Sequence, residues 1–159
     1  MSGLSDEEKL TNLETIAHIR FVQRLLNKFA VDLIRRGEVH DQSKLDRPEV
    51  SAFAEHTKNL ATTTYGSEMY EGFRKALGPA LDHHYANNTH HPEHYPRGID
   101  GMSLLDVVEM FCDWYAAGKR HNDGNIRNSL RNNKPRFNVS DQLEHVFENT
   151  ISFLESEKL

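Results

Sequence analysis

The stretch from Met102 to Ala117 constrains this chain more than any other. Leu104, Leu105, Val107, Val108, Met110, Phe111, Trp114 and Tyr115 recur with a helical period and leave almost no polar face. A helix that is apolar nearly all round has to be central, surrounded by other elements. Yet Asp106, Glu109 and Asp113 fall at i, i+3 and i+7 of the same helix, on one narrow stripe. Buried carboxylates are costly unless they are paired or bind a metal. Whatever fold forms must bring cations, donors or a metal ion to that stripe.

The rest of the chain keeps the helical period, and alternating strand patterns are scarce. Ser5-Asp6-Glu7-Glu8 reads as a capping box. It opens a helix expected to run to about Arg36 and to stop at Gly37. Pro48-Glu49 starts a second helix through Phe53, Leu60 and Ala61. A third apolar run holds Met69, Tyr70, Phe73, Ala76 and Leu77. Gly78-Pro79 is expected to interrupt or kink it before the pattern resumes through Leu81 to Tyr85. Residues 87–100 are polar, contain two prolines and read as a long histidine-rich loop. A short helix is expected over Asp123 to Leu130, and Ser140 caps a last one carrying Leu143, Val146, Phe147, Ile151 and Leu154. No repeat or linker stands out. The expected architecture is all-α, a compact single-domain helical bundle over residues 1–159.

A formal net charge of −5 disfavours nonspecific nucleic-acid binding. No apolar run approaches bilayer length, and the N-terminus has neither the basic flank nor the apolar stretch of a signal peptide. Cys112, the only cysteine, cannot form an internal disulfide, which fits a reducing compartment. Together these features predict a cytoplasmic protein without a membrane segment, in which a homo-oligomer remains open.

Ten histidines in 159 residues supply the chemistry. Neutral imidazole is a general ligand for divalent metals, and carboxylates complete mixed sites. His18 lines up with Val22, Leu25 and Phe29 at about 100° per residue, so it points inward as a core histidine or a ligand. His40-Asp41 stands in the run His40-Asp41-Gln42-Ser43-Lys44. After Pro79, His84 follows the apolar face set by Ala80 and Leu81 more closely than His83 does. His83 is a supporting or surface group. His90, His91 and His94 flank Pro92 in irregular sequence, where they could bind a second metal, touch substrate or lie on the surface. On the central helix Asp113 is the preferred ligand. Asp106 and Glu109 could orient ligands or join a second metal, and an ion pair with Arg120, Arg127 or Arg131 is the structural alternative.

His18, His40-Asp41, the downstream histidines and a helical Asp113 together resemble the histidine–aspartate metal-dependent phosphohydrolase superfamily. The resemblance implies a helical fold in which His18, His40, Asp41 and Asp113 hold a divalent metal, with His84 as an additional ligand of longer forms. It also implies that Lys44 lies near substrate phosphate. The chain is more closely similar to an uncharacterised family of small bacterial and bacteriophage proteins. The stretches that carry this similarity are His40 to Lys44, His83-His84-Tyr85-Ala86-Asn87-Asn88, His90-His91-Pro92-Glu93-His94, Glu109 to Trp114, and Asn149-Thr150. The histidine-rich loop departs from the minimal phosphohydrolase pattern and leaves metal count and reaction class open.

On this reading the cofactor is a divalent metal ion, with manganese, magnesium, cobalt, nickel, zinc and iron all open. The substrate is a small phosphorylated molecule such as a nucleotide. Asp41 would help orient water, Lys44 would offset phosphate charge, and Glu49 would assist proton transfer unless it merely starts a helix. Arg120, His121 and Arg131 could recognise substrate or form a solvated connection. Two other readings stand beside this one: a helical di-iron oxygenase, and a noncatalytic interaction protein stabilised by metal.

Overall fold

The computed structural model describes residues 3–60, 68, 72, 75, 77–119 and 125–157, with the backbone alone for 55–60. Every regular element among them is helical. The chain divides into two compact units, Met1–Glu38 and Val39–Leu159. No helix among the described residues is long and apolar enough to cross a membrane.

The first unit consists of α1 (Asp6–Val39), whose last residue passes into the second unit. Its start is the predicted capping box. The Ser5 amide donates to Glu8 Oε2 at 2.6 Å, and the Glu8 amide donates to Ser5 Oγ at 3.2 Å. The helix does not stop at Gly37, because one glycine costs only about 1 kcal/mol in a helix. It ends at Val39, two residues before Asp41, whose backbone turns left-handed at φ 57°. Aspartate is one of the few L-residues that adopts this conformation readily. The reversal leads directly into a 3-10 turn, Gln42–Leu45, so the whole His40–Lys44 run is folded back on itself.

α2 (Glu49–Leu60) begins where Pro48 predicts. The expected run over 69–77 lies largely outside the described residues. A new helix, α3 (Gly78–Asn87), begins at Gly78-Pro79. In the first turn proline has no amide bond to lose. Asn87 and Asn88 close α3 by donating from their side-chain amides to the carbonyls of His83 and His84, both at 2.8 Å.

The histidine-rich stretch holds two 3-10 turns, Pro92–His94 and Gly98–Gly101. Gly101 allows Tyr95 to lie against it, since a β-carbon there would sit 2.8 Å from the Tyr95 Cβ. α4 (Leu104–Gly118) follows, with Ser103 and Asp106 forming a reciprocal cap. α5 (Ile126–Phe137) starts from Asn125 and runs beyond the expected end at Leu130, through Pro135. Arg131, whose carbonyl loses its donor to Pro135, is exposed, so water can replace the bond. Asn138, at φ 51°, ends the helix. α6 (Asp141–Ser156) begins at Ser140, whose Oγ accepts from the Leu143 amide at 3.2 Å.

The core of the second unit joins α4, α5 and α6. It contains Met110, Phe111, Trp114, Ile126, Leu130, Val139, Phe147 and Ile151. Phe111 stacks on Phe147 with ring centroids 5.2 Å apart, and Trp114 stacks on Phe137 at 5.8 Å. Trp114 is thereby a core residue. α4 thus has two buried duties: an apolar face for this core, and Glu109 and Asp113 turned to a polar cluster.

Candidate metal centre

The cluster lies wholly within the second unit and draws on four segments. The α1 end and its 3-10 turn bring His40, Asp41, Ser43 and Lys44; α2 brings Glu49; α3 and the following loop bring His84, Asn88, His90 and His91; α4 brings Glu109 and Asp113. Three sets of donor atoms each fall within 4.8 Å of one another: Asp41 with His84, His90 and His91; His40 with His90 and Glu109; and His40 with Asp41 and Asp113.

The hydrogen bonds give each ring an orientation. A carboxylate only accepts, so an imidazole nitrogen bonded to it must carry the proton. His84 Nδ1 donates to Glu49 Oε2 at 2.8 Å. His40 Nδ1 donates to Glu109 Oε1 at 2.9 Å, and His90 Nδ1 approaches that same oxygen at 3.1 Å. In all three rings Nδ1 is thus occupied and Nε2 faces inward. His84 Nε2 lies 3.3 Å from Asp41 Oδ1 and 2.8 Å from His91 Nε2. His90 Nε2 lies 3.5 Å from Asp41 Oδ1. His40 Nε2 lies 3.6 Å from Asp41 Oδ2 and 3.7 Å from Asp113 Oδ1.

Those separations match donors around one ion. Ligands about 2.0–2.2 Å from a metal stand roughly 3 Å from one another. Asp41 Oδ1 and His90 Nε2 are also buried without a hydrogen-bond partner among the described residues. Such groups are expensive to leave unpaired in a protein interior. A cation between them satisfies both, so the donor set fits a divalent metal. Four imidazoles and three carboxylates suit zinc, iron, manganese, cobalt or nickel better than calcium.

The charges point the same way. Asp41, Glu49, Glu109 and Asp113 crowd into one region, and Lys44 sits against Asp41 Oδ2. The neighbouring Asp113 carboxylate and then Glu109 raise His40 to about 10, against the effect of burial. Burial pushes Asp41 upward, but His90 and Lys44 more than offset it and hold the carboxyl far below its ordinary range. Asp113 is likewise lowered, with His40 outweighing burial. His91 is depressed to about 3 by burial and by its neighbours His90 and His84, which keeps it neutral and able to ligate. Burial also lowers His84.

The other candidate residues take different places. Glu49 is completely buried and accepts from Ser43 Oγ, His84 Nδ1 and His83 Nδ1, the last at 2.7 Å. Glu49 thereby anchors the His83 and His84 rings. His83 stands at the edge, half exposed, on the outer side of Glu49. His94 turns away and bonds the Tyr85 carbonyl through Nδ1 at 2.8 Å. Asp106 faces the loop, accepting from Thr89, Tyr95 and Ser103. Arg131 is exposed on α5, its Nη1 3.3 Å from Asn128 Oδ1. Lys134 and Arg136 are engaged in ion pairs with Asp141, Glu144 and Glu93. His18 belongs to the first unit, on α1. Arg120 and His121 lie outside the described residues.

Ser43 and Asn88 were not singled out by sequence reasoning. Asn88 Nδ2 donates to Ser43 Oγ at 2.8 Å, and both flank His84 Nδ1. Asn88 stands one helical turn after His84, a spacing visible in the sequence.

A model for a family of unknown function (DUF5662) matches residues 7–153, and the chain belongs to that family. No curated protein and no solved structure matches it.

Proposed function

We propose that this family member is a metal-dependent phosphohydrolase acting on a nucleotide or another phosphate ester. The observation that carries the reading is the convergence of three anchored histidines on Asp41, with Asp41 Oδ1 and His90 Nε2 lacking any other partner among the described residues. Asp41, His84, His90 and His91 form one ligand set, and His40 and Asp113 complete a second set on the other side of Asp41. When bound, a divalent ion supplies Lewis acidity toward a phosphoryl oxygen and lowers the pKa of water. The chain's own residues do the rest. Asp41 orients water beside its ligand oxygen. Lys44, packed over the Phe53 ring at 5.8 Å, places a fixed positive charge where phosphate charge develops. Glu49 and Glu109 hold the histidine rings. Water adds to phosphorus as the ester P–O bond breaks, giving an alcohol and a phosphate.

The test is to screen metal-loaded protein against nucleotides and phosphodiesters, beside Asp41→Ala. Metal-dependent phosphate or monophosphate production that the variant loses supports the reading. Full activity in Asp41→Ala would refute it.

One observation favours a second reading. Asp41 presents Oδ1 to His84 and His90 and Oδ2 to His40, so it would contribute to both donor sets if two ions were held. Two irons so placed would suit an oxygenase. Substrate-dependent dioxygen uptake by the iron-loaded protein, without phosphate release, distinguishes it.

A further inference from the structure

We infer that Glu109 is a positioning residue, a single clamp that fixes two metal-binding histidines at once and sets their ligand atom as Nε2. The inference rests on the metal-centre reading above and adds the device that assembles it.

The geometry is specific. Glu109 Oε1 lies 2.9 Å from His40 Nδ1 and 3.1 Å from His90 Nδ1. The two rings are packed against each other, with centroids 4.4 Å apart and planes tilted by 38°. Their other nitrogens reach the two different oxygens of Asp41. Glu109 and Asp41 therefore stand on opposite sides of one imidazole pair, one fixing Nδ1 and the other lying beside Nε2. Glu109, half-buried, comes from α4, whose opposite face is locked into the apolar core by Met110 and Trp114. The clamp is thus mounted on a helix packed into the apolar core of the second unit. His40 comes from the end of α1 and His90 from the loop after α3, segments 50 positions apart in the chain by subtraction of their numbers. No local structure would hold these two rings together.

The proximity of Glu109 to the two nitrogens could be taken for a third ion site. The hydrogen bonds argue otherwise. An oxygen that accepts from two imidazole N–H groups is already satisfied, whereas Asp41 Oδ1 and His90 Nε2 are not. The unsatisfied atoms lie on the Asp41 side.

Outer carboxylates that hold a ligating histidine typically contribute 10- to 100-fold to metal affinity. A carboxylate serving two ligands should exceed that range when removed. Glu109→Ala should weaken metal binding by roughly 10²- to 10⁴-fold, if the two anchors act independently. Glu109→Gln keeps a carbonyl oxygen able to accept both N–H bonds but removes the charge. It should retain most of the affinity, with a loss nearer 10-fold.

The experiment titrates metal-stripped wild type, Glu109→Gln and Glu109→Ala with zinc, with circular dichroism to establish that each is folded. It also records the ring nitrogens of zinc-loaded wild type by long-range proton–nitrogen NMR. The expected result is the affinity order wild type, then Gln, then Ala, with the proton on Nδ1 and zinc on Nε2 of both His40 and His90. Unchanged zinc affinity in folded Glu109→Ala would overturn the inference, as would zinc on Nδ1 of either histidine. Should the Ala variant not fold, the Gln variant and the wild-type nitrogen signals decide. Absence of zinc binding by wild type would instead overturn the metal-centre reading itself.

Discussion

Asp106 offers the clearest test of how the histidine-rich loop is held. Its carboxylate is 4% exposed and accepts from Thr89 Oγ1 at 2.9 Å, Tyr95 OH at 3.0 Å, the Ser103 amide at 2.8 Å and Ser103 Oγ at 2.6 Å. Burial alone would raise its pKa, but these donors outweigh it and hold the group at about 2. An unfolded aspartate titrates near 3.9, so the folded ionised form contributes on the order of 2 kcal/mol. The folded pKa is depressed, so this stability is complete above about pH 5 and is lost as pH falls toward 2. Roughly half should be gone by pH 3. Asp106→Asn keeps the shape but loses the charge and one acceptor. It should lose about 2 kcal/mol at pH 7, read as a lower urea midpoint with an unchanged slope. The gap from wild type should narrow by about 1 kcal/mol between pH 5 and pH 3. Because Thr89 and Tyr95 flank His90 and His91, amide exchange over 89–95 should also accelerate. A pH-independent gap, or a variant as stable as wild type at pH 7, would refute the reasoning.

Three further outcomes follow from the same geometry. Ile151 is fully buried in the α4–α5–α6 core, so Ile151→Ala should cost about 2–5 kcal/mol in chemical denaturation while the zinc affinity of the folded protein is unchanged. Lys44→Met should lower phosphate release by roughly 10²-fold with metal content retained; loss of the metal instead would assign Lys44 to assembly of the site. Adding a chelator to metal-loaded protein should lower the wild-type Tm, and should leave Asp41→Ala unmoved because that variant has no bound ion to lose.

Much of this arrangement is legible in the residues, for identifiable reasons. Helix starts at Ser5, Pro48 and Ser140 follow from local hydrogen-bond chemistry that three or four residues suffice to specify. The stripe on α4 announced polar partners, and two of its members, Glu109 and Asp113, do face the cluster. His84 rather than His83 turns inward, as the register with Ala80 predicts. Elsewhere local signals mislead. Gly37 and Pro135 are breakers by propensity, yet both lie within helices because one unfavourable residue costs less than the surrounding pattern supplies. The direction of His90 and His91 could not be read, since irregular backbone has no period to project. Asp106 shares the Glu109 stripe, but its position three residues after Ser103 gives it to the helix cap. The roles of Glu49 and Glu109 in holding histidines depend on pairings 19 to 69 residues apart, which no local pattern encodes.

Cobalt titration of metal-stripped protein, followed by visible absorption, tests the centre most directly. The account predicts saturable binding with ligand-field bands of nitrogen and oxygen donors in wild type, and loss of both in folded Asp41→Ala. Absence of binding by wild type, or an unchanged spectrum and affinity in the variant, would contradict it.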